Sequence, residues 1–528
     1  MNDQLPSEFD LVIVGTGMIE SIISAAASRI GKTVLHIDSN DYYGGLWASF
    51  NLEGLHNYAP KSPETSQGGC PALNHLPIGN AVSHIGHFES NWHVPEKLEP
   101  PETDIEGDLE QMNLEESRGK EHSQESLLKI SRKFNIDLVP KLHYARGSFV
   151  ELLISSNIAR YAEYRSVSRV LTWLKGQLEP VPCSRADVFS SKNVSVIEKR
   201  LLMKLLTSLD RDLDADDDKP DTFLQFLQAR KIPPNLVHFV LYAMARGSKE
   251  TSLDEGISNT KRFLGSLGRF GKTPFLFSMY GSGETPQAFC RLSAVFGGVF
   301  ALNQPSLSGL KLENHKVEAL LNGDQEIKAQ HFVLGAEHSP SQFLASVANG
   351  NQISRAVFVT DKSLIPSEQE HLTLLVYPPD DKKPLATIVE MGHLTGTCPK
   401  GFYLLHMTTK LVSSPKEDLQ HIVSNLLGGN EEDGKPNILW SCYFSLPEAA
   451  QQQQKQDLPE NLFLCSGPNL DLDYDAAIHN AKGIFEKMYP GLDFLPRAPD
   501  PDEIIIGGEE EVTETMTDED TKEPTMNS

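Results

Sequence analysis

The stretch FDLVIVGTGMIESIISAAASRIGKTVLHIDSNDYYGG, residues 9–45, governs how the rest of the chain is read. Residues 9–14 form an apolar run of strand length, and Gly15-Thr16-Gly17 breaks it. An apolar helical stretch follows, then a second strand-like run at 33–37 that ends on Asp38. This is the layout of a dinucleotide-binding turn, where glycines let a pyrophosphate approach the backbone at a helix N-terminus. Gly15 and Gly17 hold the first two glycine places, and Asp38 stands where an acid would meet a ribose hydroxyl. Glu20 takes the third glycine place. Two like charges about 5 Å apart cost on the order of 3 kcal/mol at an effective dielectric of 20, so its carboxylate opposes a diphosphate. Glu20 is expected to hold an empty turn closed.

Downstream of Asp38, Gly44-Gly45 copies the acid-then-diglycine spacing of flavoproteins of the glutathione reductase and amine oxidase kind. Near the other end, NLFLCSGPNLDLDYDAAIHNAKGIFEKM (461–488) has the strand, glycine turn and helix with which such enzymes complete a flavin site. There Gly467 is followed by Pro468, which offers neither a carboxylate nor a backbone N–H. With both contacts altered, the expectation is a flavoprotein-like scaffold that uses no cofactor.

The chain has 528 residues, enough for more than one domain, and a net charge of −25 that argues against nucleic-acid binding. Its six cysteines show no paired or zinc-like spacing, which fits a reducing compartment. The start MNDQLPSEFD is acidic and polar rather than a signal sequence, no long apolar run appears, and TMNS is not a prenylation box. A cytosolic protein is expected. His75, His84, His87 and His93 match no metal-ligand spacing and lie in a stretch read as Gly/Pro/Asn-rich loop, so no metal is expected. No nucleophile–base pair stands out, so no catalytic residue is assigned.

Alternating strand and helix patterns dominate the rest. The stretch PEKLEPPETDIEGDLEQMNLEESRGKEHSQES (95–126) is acidic and almost free of aromatics, so it cannot bury enough surface to offset its chain entropy. AAQQQQKQDLP (449–459) reads as a polar loop. Helical periodicity marks 196–209, 222–230 and 234–246, and strands are expected at 274–280, 298–303, 356–361, 372–378, 402–408 and 438–444. Within 310–336, Asn322-Gly323-Asp324 predicts a hairpin turn. The fold class expected is α/β, an FAD/NAD(P)-binding flavoprotein-like domain with an inserted all-helical second domain. Domain I is placed at 1–94, 131–183 and 269–506, the acidic insert at 95–130, the helical domain II at 184–268, and an acidic tail at 507–528.

Three long stretches carry a family resemblance: GTGMIESIISAAASRIGKTVLHIDSNDYYGGLWASF (15–50), FNIDLVPKLHYARGSFVELLISSNIARYAEY (134–164) and SLGRFGKTPFLFSMYGSGETPQAFCRLSAVFGGVFALN (266–303). With QISRAVFVTDKSLI (352–365), they resemble the superfamily of Rab GDP-dissociation inhibitors (GDI) and Rab escort proteins, whose members share the flavoprotein fold without using flavin. The resemblance implies a GDI-like fold. VFSSKNVSVIEKR (188–200), which resembles the escort-specific helix that engages the transferase α subunit, Trp47, and the acidic insert with the length beyond residue 435 point to the escort branch. That branch implies a non-catalytic accessory component of Rab geranylgeranyltransferase, which presents GDP-bound Rab GTPases to the transferase α/β heterodimer and carries the prenylated product to membranes. The alternatives are a dissociation inhibitor that recycles prenylated Rabs and, from another class, an FAD-dependent oxidoreductase.

Carried over residue by residue, the resemblance implies Rab binding at Tyr43, Glu284 and Arg291. It implies transferase binding at Phe189 and Arg200, eleven residues and about three helical turns apart. Phe300 and Ala301 depart from the inhibitor pattern. A geranylgeranyl chain prefers an apolar site by about 0.8 kcal/mol per buried methylene. The expected lining is Leu201, Leu205, Phe223, Phe226, Val240 and Met244.

Overall fold

In the computed structural model, Glu8–Val14 pairs in parallel with Val34–Ile37 on one side and with Gln325–Leu334 on the other, so Val14 stands opposite both Ile37 and Leu334. Val299–Ala301 extends this layer beyond Val34–Ile37, and Leu462–Leu464 joins in parallel beside Gln325–Leu334. Strand order therefore reverses about Glu8–Val14, and the crevice at the C-terminal ends of these strands is where such sheets place ligands. The residues described are 5–59, 74–79, 84–98, 122–183, 187, 198, 200–201, 204–205, 220–343, 352–380, 382–428, 434–448 and 458–497. Met1–Pro496 forms one contact-dense unit, to which all the described strands and helices belong.

Helix Met18–Arg29 is buried along almost its whole length, packed between helices Glu284–Val295 and Asp475–Met488. Small residues make that approach possible: the Ser24 and Ser28 hydroxyls both reach Ser293 Oγ, at 2.8 and 2.9 Å. The same sheet continues through an antiparallel meander, Leu307–Glu313, Lys316–Asn322 and Gln325–Leu334, with His75–Pro77 at its edge. The turn expected at Asn322-Gly323-Asp324 is present, with Gly323 at φ +60°.

A second sheet of eight strands runs in the order Gln177–Pro180, Arg169–Leu174, Thr373–Tyr377, Ala386–Met391, Tyr403–Lys410, Gln352–Thr360, Ile438–Pro447 and Gly86–Trp92. One face carries helix Pro415–Leu426. The other packs against Phe223–Ala229, Pro234–Val237 and Leu253–Ser266, so the helical module and this sheet share a core. After Pro234–Val237 the helix widens over His238–Met244, where Ala245 N–H reaches back five residues to the Val240 carbonyl.

All six later strands and the strand–turn–helix at 461–488 form where the sequence placed them. The loop read around the four histidines is a correction: His75–Pro77 and Gly86–Trp92 are edge strands, one in each sheet. Glycine, asparagine and histidine mask their strand character. It is long-range pairing, with a bulge at His87 (φ +49°), that extends them. His87 and His93 bond Ser445 and Ser441 hydroxyls at 2.9 and 2.8 Å. Among the described residues no cluster could hold a metal ion, and no helix is long and apolar enough to cross a membrane. Residues 99–121, most of 449–459, residue 189 and the acidic tail lie outside the described residues.

Candidate functional site

The glycine turn that opens helix Met18–Arg29 is a cradle with its contents in place. Gly15 takes φ +102°, and Gly17 caps the helix without a side-chain hydrogen bond. The Glu20 side chain folds back over this turn with 5 % exposure. A Cβ on Gly17 would lie 2.6 Å from Glu20 Oε2, and one on Gly15 would lie 2.9 Å from His338 Nδ1 and 3.5 Å from Glu20 Oε1. A Cβ on Gly335 would overlap Glu20 Oε1. Three glycines thus converge on one carboxyl group. Its Oε2 has no hydrogen-bond partner. Burial raises the Glu20 pKa to about 7, nearby backbone N–H groups of Glu20 and Ile19 oppose that rise, and the charge of Asp38 adds to it.

Asp38 is engaged as well. Its Oδ2 accepts the Thr16 hydroxyl at 2.7 Å, its Oδ1 accepts Asn40 N–H at 2.9 Å, and His338 Nε2 stands 3.7 Å from Oδ1. His36, held neutral by burial with a pKa near 4, bonds the Gly15 carbonyl at 2.6 Å. Beside Asp38 the crevice keeps a cavity of about 180 Å³ lined by Tyr42, Tyr58, His84 and His338 among others. A drug-sized ligand pocket spans about 300–1,000 Å³. These residues do not fit a flavin dinucleotide: the diphosphate place is filled by a carboxyl and a ring, and the ribose acid is spent on Thr16 and Asn40.

The same turn suspends a surface loop. Gly44 N–H donates to the Thr16 carbonyl and hydroxyl, both at 3.1 Å, with Gly44 at φ +100°. That fixes Tyr43, a half-buried ring whose centroid lies 6.3 Å from that of Phe300. Phe300 and Ala301 are half-buried on the edge strand Val299–Ala301. Burial, with the nearby Cys290 thiol, raises the Tyr43 pKa. Glu284 and Arg291 lie two turns apart on helix Glu284–Val295, with Arg291 Nη2 3.7 Å from Glu284 Oε2 and side chains 55 % and 32 % exposed for Arg291 and Glu284. Tyr43, Phe300, Glu284 and Arg291 therefore form a mixed aromatic and charged face.

Sequence reasoning missed what braces this face. Buried Asp137 accepts Ser282 N–H at 2.9 and 3.0 Å and the Ser49 hydroxyl at 2.5 Å. Ser49 Oγ in turn accepts Gly283 N–H at 2.9 Å. The loop that holds Tyr43 and the helix that holds Glu284 are thus tied through one carboxylate. Burial raises the Asp137 pKa against the donors around it. The signal available was the run GSGE at 281–284: a Cβ on Gly283 would lie 2.7 Å from Ser49 N, so that position tolerates only glycine. Trp47 is interior, with its ring 5.5 Å from Tyr474 and Lys141 Nζ over its face at 5.6 Å.

The other expected residues lie apart from this face. Arg200 is helical and exposed. Leu205, Phe223, Phe226, Val240 and Met244 are all buried in the core under the second sheet, and Leu201 is half-buried against it. Among the described residues they belong to one buried cluster.

Two family models match: one described as "GDP dissociation inhibitor" over residues 1–70, the other as "RAE1/2 domain I, C-terminal region" over 353–470. The Drosophila melanogaster protein named "Rab proteins geranylgeranyltransferase component A" is 39 % identical over 97 % of this chain and 94 % of its own length. Human "Rab proteins geranylgeranyltransferase component A 1" is 33 % identical over 96 % of this chain and 95 % of its own length. Among solved structures, a Rab GDI from Plasmodium falciparum superposes with a TM-score of 0.64 at 19 % identity, covering 92 % of this chain and 99 % of that one. The fold is that of the dissociation inhibitors, and the near full-length identity carries the rest: the chain belongs to the family of Rab geranylgeranyltransferase component A, the Rab escort proteins.

Proposed function

We propose that this chain is a Rab escort protein: it presents newly made, GDP-bound Rab GTPases to Rab geranylgeranyltransferase and chaperones the prenylated product to membranes. The observation that supports this most is the face of Tyr43, Glu284 and Arg291, held in register by the Ser49–Asp137–Ser282 brace. A half-buried tyrosine with a half-buried glutamate and an exposed arginine is the composition of an interface centre, in which aromatic residues and arginine carry most of the energy. The role needs no catalysis from this chain. Bond making would belong to the transferase, and the chain's part is to hold one substrate and shield the product in the cytosol.

Transferase docking is assigned to the helix around Arg200, with Phe189 as its aromatic anchor. The lipid is assigned to the helical module. Leu205, Phe223, Phe226, Val240 and Met244 fill that interior now, so lipid entry requires these helices to part. Burial of a geranylgeranyl chain, at about 0.8 kcal/mol per methylene, offsets that opening. The test is reconstituted prenylation with purified transferase and an unprenylated Rab. Lipid transfer should depend on added chain, and transfer that proceeds equally without it would refute the proposal. Recycling of prenylated Rabs alone would instead show Rab extraction from vesicles without transferase binding.

A further inference from the structure

Helix Glu284–Val295 turns one side to solvent from end to end. At about 100° per residue, Glu284, Arg291 and Val295 fall within about 40° of one line along its axis. The opposite side, with Ala288, Phe289 and Leu292, is buried in the core beside helix Met18–Arg29. The charged part of the exposed line ends at Arg291. One turn on, Ala294, Val295 and Phe296 are three consecutive exposed apolar residues, Val295 at 64 % and Phe296 at 38 %. No other large hydrophobic side chain among the described residues is as exposed as Val295. Such a run adds little burial to the fold, and a β-branched valine is stiff in a helix, so its place there calls for a function. The patch is also held in position. Phe296 carries the Arg29 guanidinium 4.9 Å from its ring centroid, and Arg29 Nη1 donates to the Ser156 carbonyl at 3.1 Å. Gly297, at φ +88°, stops the helix, and Gly298 N–H closes the end on the Ser293 carbonyl at 2.9 Å.

We propose that Val295, with Ala294 and Phe296 at its flanks, is the apolar end of the Rab-binding face, where the GTPase buries an aliphatic or aromatic side chain one helical turn beyond Arg291. This contact presupposes the Rab-binding role proposed for Tyr43, Glu284 and Arg291. Continuity decides the occupant. Val295 lies four residues past Arg291 on one straight helix, about 6 Å along its axis. A specific interface covers about 800 Å² on each partner, so a GTPase seated on Glu284 and Arg291 reaches Val295 without extending its footprint. Exposed charges contribute little affinity by themselves in water, whereas apolar surface withdrawn from water contributes at any salt concentration. Charge would set the orientation of the GTPase, and Val295 would hold it.

The experiment is a titration of the full chain with an unprenylated, GDP-bound Rab at low and at high salt. Val295→Gln, a good helix former that removes the apolar surface, should weaken binding about tenfold at both salt levels. Val295→Leu, which keeps that surface, should stay within about threefold of the unsubstituted chain. Arg291→Glu should instead lose more affinity at low salt than at high salt. The unfolding temperature of Val295→Gln should stay within ~2 °C of the unsubstituted value, because an exposed position carries little stability. Val295→Gln binding within about twofold of the unsubstituted chain while Arg291→Glu binds weakly overturns the apolar contact and leaves the charged face standing. Equal losses in Val295→Gln and Val295→Leu overturn it too, as does Val295→Gln impairing retention by immobilised transferase while Rab affinity holds. Unchanged binding in both Val295→Gln and Arg291→Glu would remove the whole face, and an unsubstituted chain that binds no Rab would remove the escort role itself.

Discussion

Glu20 is where one residue changes the meaning of a fold. Its folded pKa is raised from 4.5 to about 7, mainly by desolvation, with Asp38 adding to the rise. A raised value means the native state favours the protonated form. That stability is fully present below about pH 4.5 and is lost as the pH rises through about 7. A rise of this size is worth about 3 kcal/mol. Urea denaturation across this range should show the unsubstituted chain losing stability relative to Glu20→Gln as the pH rises, and parallel curves would contradict the buried acid. Arg291 is the opposite case. Its pair with Glu284 is largely exposed, so Arg291→Glu should move folding stability by only about 0–1 kcal/mol. Rab affinity should nonetheless fall at least tenfold in a titration, since like charges would then meet at the face. The sequence made Glu20 legible because the turn motif fixes its place, whereas the bland surroundings of Asp137 in FNID hid its role.

At the scale of elements, the brace of Ser49, Asp137, Ser282 and Gly283 joins three segments that are distant in sequence. Ser49→Ala removes the acceptor of Gly283 N–H and one donor to Asp137, leaving buried groups unpaired at about 1–3 kcal/mol. Rab binding should weaken in the same variant although Ser49 need not touch the partner. A titration with unchanged affinity would show that the loop and the helix are positioned independently. The strands that formed where expected are those with unbroken apolar or β-branched runs, such as Gln352–Thr360 and Thr373–Tyr377. Gly86–Trp92 escaped notice because an edge strand buries only part of each side chain, and its neighbour Ile438–Pro447 supplies its hydrogen bonds.

At the scale of the whole molecule, Arg355 ties the second sheet to the short strand pair of Ser49–Phe50 and Ile136–Asp137. It is fully buried in the second sheet, with Nε on the Leu138 carbonyl at 2.8 Å and Nη1 on the Met407 carbonyl at 2.6 Å. Nη2 lies 3.1 Å from His406 Nδ1, and burial and the arginine charge hold that imidazole neutral, well below its usual pKa, so it can accept. Leu138 follows Asp137, so this arginine steadies the brace from beneath. Arg355→Met should cost about 3–5 kcal/mol in denaturant unfolding, because the carbonyls it serves would be left without a donor. The two proposed docking roles are separable by substitution. Phe189→Ala should abolish retention of the chain by immobilised transferase while Rab binding stays within about twofold, a change below 0.5 kcal/mol. Loss of both together would mean the variant had disturbed the fold rather than a docking surface.

The sequence by itself determined the βαβ opening, the misfit of a flavin dinucleotide and the family, because turn chemistry and hydrophobic period are local and are written residue by residue. Tertiary structure alone decided that Glu20 fills the cradle, that Tyr43 and Glu284 share one brace, and that the described helices of the helical module share a core with the second sheet. Each of these depends on side chains far apart along the chain, or on a rotamer chosen by burial, and no local pattern encodes either.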